Sequence, residues 1–250
     1  MEKSAFNYDK IPIGYYDLIA ERKTGIRSFW HNHKFERVLS SLPNNIDSLI
    51  DIGCFSGTFL GMIPEERCSQ QTGLDIILKQ INYANDKYAT SFRSFHYYAD
   101  LASELDIGYN YECASLIEVI EHLNPDEIKI LFEKIYIMLQ PGGLLVMSTP
   151  NYFSMWPILE ILINIFSSVK YDEQHLTRFT YFNVFNKIRT IIPEFDRMFT
   201  IKLRTTSHFI SPYVAFFSYN LASFLAGMTK PQRWHFPFGS ILIVCLEKKI

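Results

Sequence analysis

The sequence has no Cys-x-x-Cys pair. Its four cysteines, Cys54, Cys68, Cys113 and Cys245, are scattered. That spacing excludes a zinc ribbon and a disulfide framework. There is no surplus of either charge: 24 Lys+Arg face 26 Asp+Glu, for a formal net charge of -2. A dedicated nucleic-acid binder would need a basic face, so nucleic acid is not the expected partner. The opening residues MEKSAFNYDK contain no signal-type apolar stretch, and a reducing cytoplasmic location is the expectation. No apolar run is a clear transmembrane helix. The nearest, residues 209–227, is interrupted by Pro212, Asn220 and several Ser and Tyr. Internal repeats and low-complexity tracts are also absent.

What is present describes a folding chain. Hydrophobic residues are 48% and charged residues 20% of 250 positions, enough for one domain with a full core. Aromatics reach 16%, with 21 Phe and 15 Tyr, so some must line a pocket or an interface. A helical stretch over residues 27–42 precedes an alternation of strand and helix from about 48 to 148. Strands are expected at 48–52, 72–76, 95–98, 111–116 and 144–148. The best-marked helix follows Asn124, a good N-cap, with Pro125 at its first position. Ile128, Leu131, Phe132, Ile135, Met138 and Leu139 keep helical spacing, and Pro141-Gly142-Gly143 ends it. A helix over 180–192 and strands at 199–204 and 241–246 complete the pattern. The expected fold is therefore α/β: a Rossmann-like, seven-stranded, mostly parallel sheet with helices on both faces. Residues 1–45 form a helical lid in this reading. Residues 46–250 form the main domain, with aromatic-rich insertions at about 151–178 and 206–236.

The first strand ends in Asp51-Ile-Gly53-Cys-Phe-Ser-Gly57. An apolar strand running into a glycine turn and a helix start is the architecture of a nucleotide site, though a tight βα turn alone has the same look. The Gly-x-Gly-x-x-Gly spacing of nicotinamide-dinucleotide enzymes is missing, which disfavours hydride transfer. Asp75, at the end of the second strand, is positioned to accept both hydroxyls of a ribose, or to cap the next helix. Asp100 can accept an adenine amino group while the N–H of Leu101 donates to the ring, or Asp100 can act as another cap.

These motifs, followed by Leu-Ile-Glu118-Val-Ile-Glu121-His122-Leu and Leu-Gln-Pro-Gly-Gly-Leu-Leu-Val-Met-Ser-Thr-Pro-Asn, resemble the class I S-adenosylmethionine-dependent methyltransferases. The similarity is closest to the ubiquinone-pathway O-methyltransferases and the small-RNA 2′-O-methyltransferases. It covers residues 48–151, and His175-Leu-Thr-Arg-Phe-Thr180 extends it. The resemblance implies that Asp51, Gly53 and Gly57 belong to the turn that cradles the methionine part and ribose of the cofactor. Asp75 would hold the ribose hydroxyls, Ile76 would pack on the adenine, and Asp100 and Leu101 would meet its edge. Ile117, Glu118 and Val119 would lie beside the sulfonium. One departure stands out: the family commonly has glycine where this chain has Phe55.

A hydroxyl acceptor must lose a proton to a base or beside a Lewis acid. His122 and His175 are the candidate catalytic residues, as metal-free bases or as ligands. Glu118, Glu121 and His122 have i, i+3, i+4 spacing and share a face if the strand exit turns helical. With His175 they would make a two-carboxylate, two-imidazole site for Mg, Mn, Fe or Zn, as the small-RNA branch implies. A base among His31, His33, Lys34 and Arg37 in the lid could meet the methionine carboxylate. The apolar stretches 155–166 and 209–227 could wall an acceptor pocket, lie on a membrane surface, or simply be core and lid. The expected activity is O-methylation of a small molecule, glycan or lipid-linked intermediate. An RNA 2′-O-methyltransferase and a catalytically silent partner protein are the alternatives.

Overall fold

The computed structural model describes residues 11–100, 110–166, 175–229 and 236–250. In chain order these carry α1 (Tyr15–Ala20), α2 (Gly25–Ser40), β1 (Ile46–Ile52), α3 (Thr58–Gly61), β2 (Cys68–Asp75), α4 (Leu78–Tyr88), β3 (Arg93–Tyr97) and β4 (Tyr111–Ile117). There follow α5 (Pro125–Met138), β5 (Leu139–Pro150), α6 (Trp156–Phe166), α7 (Val184–Ile191), α8 (Phe195–Met198), β6 (Phe199–Ser207), α9 (Ser211–Val214), α10 (Tyr219–Met228) and β7 (Ile241–Lys248). The seven strands form one sheet in the order β3-β2-β1-β4-β5-β7-β6. The first five are parallel, and β7 runs antiparallel to both β5 and β6. The expected seven-stranded, mostly parallel fold is therefore what the chain adopts.

The pleat sorts alternate residues to opposite faces. Ile50 and Ile52 of β1 and Leu116 of β4 pack with Phe132 and Ile135 of α5 and Phe195 of α8. Leu49 and Cys113 pack on the other face with Trp30, Phe35 and Val38 of α2, Phe59 of α3 and Ile81 of α4. Burial on both faces is why β1 and β4 read as nearly continuous apolar runs. All four cysteines are buried free thiols. Among the described residues, no helix is long and apolar enough to cross a membrane.

Element boundaries shift where side chains redirect the backbone. The helix expected from 180 begins at Val184, because Thr180 and Asn183 cap one another. The Thr180 N–H donates to Asn183 Oδ1 at 2.8 Å, and the Asn183 N–H donates to Thr180 Oγ1 at 3.1 Å. The strand expected at 144–148 is the central part of β5. The stretches read as insertions hold α6, α9 and α10. Their segments 167–174 and 230–235 lie outside the described residues.

The N-terminal helices are tied to the rest at both ends. Asp17 of α1, 3% exposed, accepts from the hydroxyls of Tyr83 (2.8 Å) and Tyr88 (2.6 Å) on α4. Arg37 of α2 donates to the Ala226 carbonyl of α10 and to His33 Nε2 at 3.0 Å. Burial lowers the Arg37 guanidinium to about 10.

Candidate functional site

In open parallel sheets, ligands sit outside the carboxyl ends of the strands, where strand order reverses. Here β1 is that point, with β2 on one side and β4 on the other. The turn after β1 is tight. Gly53 and Gly57 have φ of 81° and 76°, in the left-handed region that favours glycine. A Cβ on Gly53 would lie 2.4 Å from Val119 Cγ2, so this turn and the β4 exit are in direct contact.

Phe55 adopts the glycine-like conformation itself, with φ 50°. Its N–H donates to Asp75 Oδ2 at 2.8 Å, and its ring meets the edge of Tyr16 at 5.1 Å between centroids. The phenyl group thus joins the α1 wall. Asp75 Oδ1 accepts from the Ile77 N–H at 2.9 Å. The Ile76 N–H also donates to this carboxylate, whose two oxygens have acceptor capacity for more than three bonds. Asp51, 2% exposed, accepts from the Ser115 hydroxyl at 2.6 Å. Burial pushes the Asp51 carboxyl up to about 7 against that bond, and pushes Asp75 up to about 6. Ile76 is 40% exposed, Ile117 and Val119 are buried, and Asp100 is exposed just after β3. Leu101 lies outside the described residues.

The strand-four exit departs from the helical expectation. Glu118 has φ 55°, and only Ile120–His122 form a single 3-10 turn. The i, i+3, i+4 face therefore does not form. Glu118 instead pairs with the ammonium of Lys34, which is 1% exposed on α2. The cluster that does assemble is Glu121, His122 and His175, whose ligand atoms all lie within 4.8 Å of one another. The two imidazole rings sit 5.2 Å apart.

Glu121 is 1% exposed, and among the described residues neither carboxylate oxygen has a well-formed hydrogen-bond partner. The Thr149 hydroxyl gives partial relief, while burial and the Glu118 charge push Glu121 up to about 8. A buried carboxylate in this condition is costly without a cation or proton. His175, also buried, is pushed down to about 4 by burial, with Glu118 opposing. Its ring is neutral at neutral pH, as a ligand or base requires. His175 Nδ1 lies 3.0 Å from Glu160 Oε1 and 2.7 Å from the Tyr152 hydroxyl. A proton on Nδ1 would leave Nε2 as the ring's other coordination position, the arrangement that commonly orients metal-bound histidines.

The sequence offers no sign of Tyr152, while Glu160 interrupts the apolar stretch 155–166. That break was the signal, since a carboxylate facing a core needs a partner. Of the four bases named on α2, His33 is buried and His31 half-buried, both with basicity lowered chiefly through desolvation. Arg37 is committed to α10, and Lys34 alone reaches the strand ends.

A family model described as "Methyltransferase domain" matches residues 22–197. The small RNA 2′-O-methyltransferase of Arabidopsis thaliana is 30% identical over 119 residues, 44% of this chain and 12% of that protein. The malonyl-[acyl-carrier protein] O-methyltransferase of a Marinomonas species is 30% identical over 127 residues, 48% of this chain and 44% of that protein. The match thus spans less than half the length of either relative. The N-methyltransferase NodS from Bradyrhizobium japonicum, in complex with S-adenosyl-L-homocysteine, superposes with a TM-score of 0.56. It is 14% identical, and the superposition covers 93% of this chain and 97% of NodS. At that identity the likeness is one of fold.

Proposed function

The chain belongs to the methyltransferase-domain family, and on that premise we propose that it transfers a methyl group from S-adenosylmethionine to a hydroxyl oxygen of a small molecule, glycan or lipid-linked acceptor. The observation that carries the reading is the Glu121–His122–His175 cluster beside the Gly53 turn. The cofactor supplies a sulfonium-bound methyl group, and a divalent ion held by Glu121, His122 and His175 would supply a Lewis acid for the hydroxyl.

The residues fit both. Asp75 offers its remaining acceptor capacity to the ribose, and exposed Ile76 offers a face to the adenine. Asp100, exposed after β3, would meet the adenine edge. Asp51, Asp75 and Glu118 bring carboxyl groups to the carboxyl ends of β1, β2 and β4. The orphaned Glu121 oxygens and the paired imidazoles suit a divalent ion bound by Glu121, His122 and His175, with Glu160 orienting His175. Either histidine can take the hydroxyl proton if no ion is held. Tyr16, Phe55 and α2 exclude water from the cofactor side, and α1 and α2 act as the lid, residues 1–10 of the expected 1–45 lid lying outside the described residues.

On the acceptor side, Phe182, Phe153 and Phe238 form a run of ring contacts, with centroid separations of 4.9 and 5.5 Å. All three are more than 40% exposed. They follow β5 or precede β7 at the strand edge that carries the site, and support an apolar acceptor. Exposed Phe216, Phe217 and Phe224 leave peripheral membrane contact as a property of the same reading. The small-RNA relative favours RNA as a second acceptor class, against which the net charge of -2 counts.

The test is transfer of labelled methyl groups from S-adenosylmethionine into separated pools of small molecules, glycans, lipids and RNA. Label is expected in a non-RNA pool, falling about tenfold or more after chelation and in Glu121→Gln. Label confined to RNA, and lost steeply with salt, would favour the second reading. Cofactor binding without label in any pool would favour the silent partner.

A further inference from the structure

Lys34 is the observation the reading above does not absorb. An ammonium that is 1% exposed has given up its hydration, and such a charge is retained only where a partner compensates it. Its partner is Glu118, whose side chain is 19% exposed and whose backbone is held at φ 55° by an N–H bond to the Ser148 carbonyl at 3.0 Å. Glu118 and Glu121 repel one another across the 3-10 turn, and the Lys34 charge offsets part of that repulsion. The rings of Tyr16 and Phe35 lie 5.2 Å from the same ammonium, one on each centroid distance, and fix its position by cation–π attraction. One α2 residue thus holds a carboxylate that lies three positions from an unpartnered one.

We propose that Lys34 is a built-in counter-cation that competes with the divalent ion for Glu118. The ion site assigned above, on which this rests, then has three protein ligands while the pair is intact. Glu118 becomes the fourth only when the ammonium is displaced. The competition sets the affinity of the ion site and links it to the position of α2, because Lys34 leaves Glu118 only if α2 or its side chain moves. The ion site and the N-terminal helices are in this way one coupled unit.

The experiment is titration of the full chain, without cofactor, by Mn²⁺ alone, with free Mn²⁺ read by electron paramagnetic resonance. Lys34→Met is expected to bind Mn²⁺ about tenfold more tightly than wild type, the scale on which outer partners shift metal affinity. Lys34→Arg keeps the charge and is expected to stay near wild type. Most of the gain is expected to vanish in Lys34→Met/Glu118→Gln. Circular dichroism checks each fold, and Lys34→Gln replaces Lys34→Met if that variant fails to fold. Equal or weaker Mn²⁺ binding in the charge-removed variant, with binding still lost in His175→Ala, would overturn the role of Lys34 and leave the ion site standing. Absence of Mn²⁺ binding in wild type and every Lys34 variant would overturn both.

Discussion

Asp51 illustrates how single residues at this site trade stability for charge. Burial raises its carboxyl to about 7, against about 3.9 for an unfolded aspartate. An acid whose folded value is raised contributes fully below the unfolded value and loses that contribution as pH rises through the folded one. Asp51→Asn cannot ionise but can still accept from Ser115. Its melting temperature is therefore expected to gain on wild type progressively from pH 4 to pH 7 and to level off near pH 8. Comparing the two proteins cancels the opposing titration of the buried histidines. A difference independent of pH would contradict the burial argument. The acids themselves were legible in the sequence, because Asp51 and Asp75 end apolar strands. Their partners were not. Nothing in the spacing shows that the Phe55 N–H bonds Asp75, or that Phe55 takes a left-handed conformation costing about 1–3 kcal/mol.

At the scale of elements, local signals succeeded where they were complete. Asn124 accepts from the Glu127 N–H at 3.0 Å, and Glu127 accepts in return from the Asn124 N–H at 2.7 Å, with Pro125 opening α5. Asn124 and Pro125 mark this start in the sequence, and Glu127 completes the cap in the structure. Asn124→Ala is expected to cost about 1 kcal/mol in denaturant unfolding while leaving cofactor affinity unchanged. A coincident loss of binding would mean that α5 positions the site. The exit from β4 was misread for the opposite reason. Helical spacing predicts one face only if the backbone is helical, and φ 55° at Glu118 breaks the helix before it starts. The ammonium that pairs with Glu118 comes from α2, 84 positions away in sequence. No local window contains it. His175 shows the same limit: its orienting partners Glu160 and Tyr152 come from α6 and the end of β5.

At the scale of the whole molecule, the sheet order β3-β2-β1-β4-β5-β7-β6 brings Asp51, Asp75 and Glu118, far apart in sequence, to the carboxyl ends of neighbouring strands. The fold was legible because strand and helix periods alternate cleanly through residue 148, and the apolar stretches beyond it were ambiguous because burial, acceptor walls and membrane contact all select the same residues. The proposed chemistry requires the cofactor to bind at Asp75 and the Gly53 turn. Calorimetric titration of the wild-type chain and Asp75→Ala with S-adenosylmethionine tests that dependence most directly. The account predicts saturable micromolar binding by wild type, weakened about tenfold or more in Asp75→Ala with cooperative unfolding retained. No heat of binding from the folded wild-type chain, or equal affinity in the variant, would contradict it.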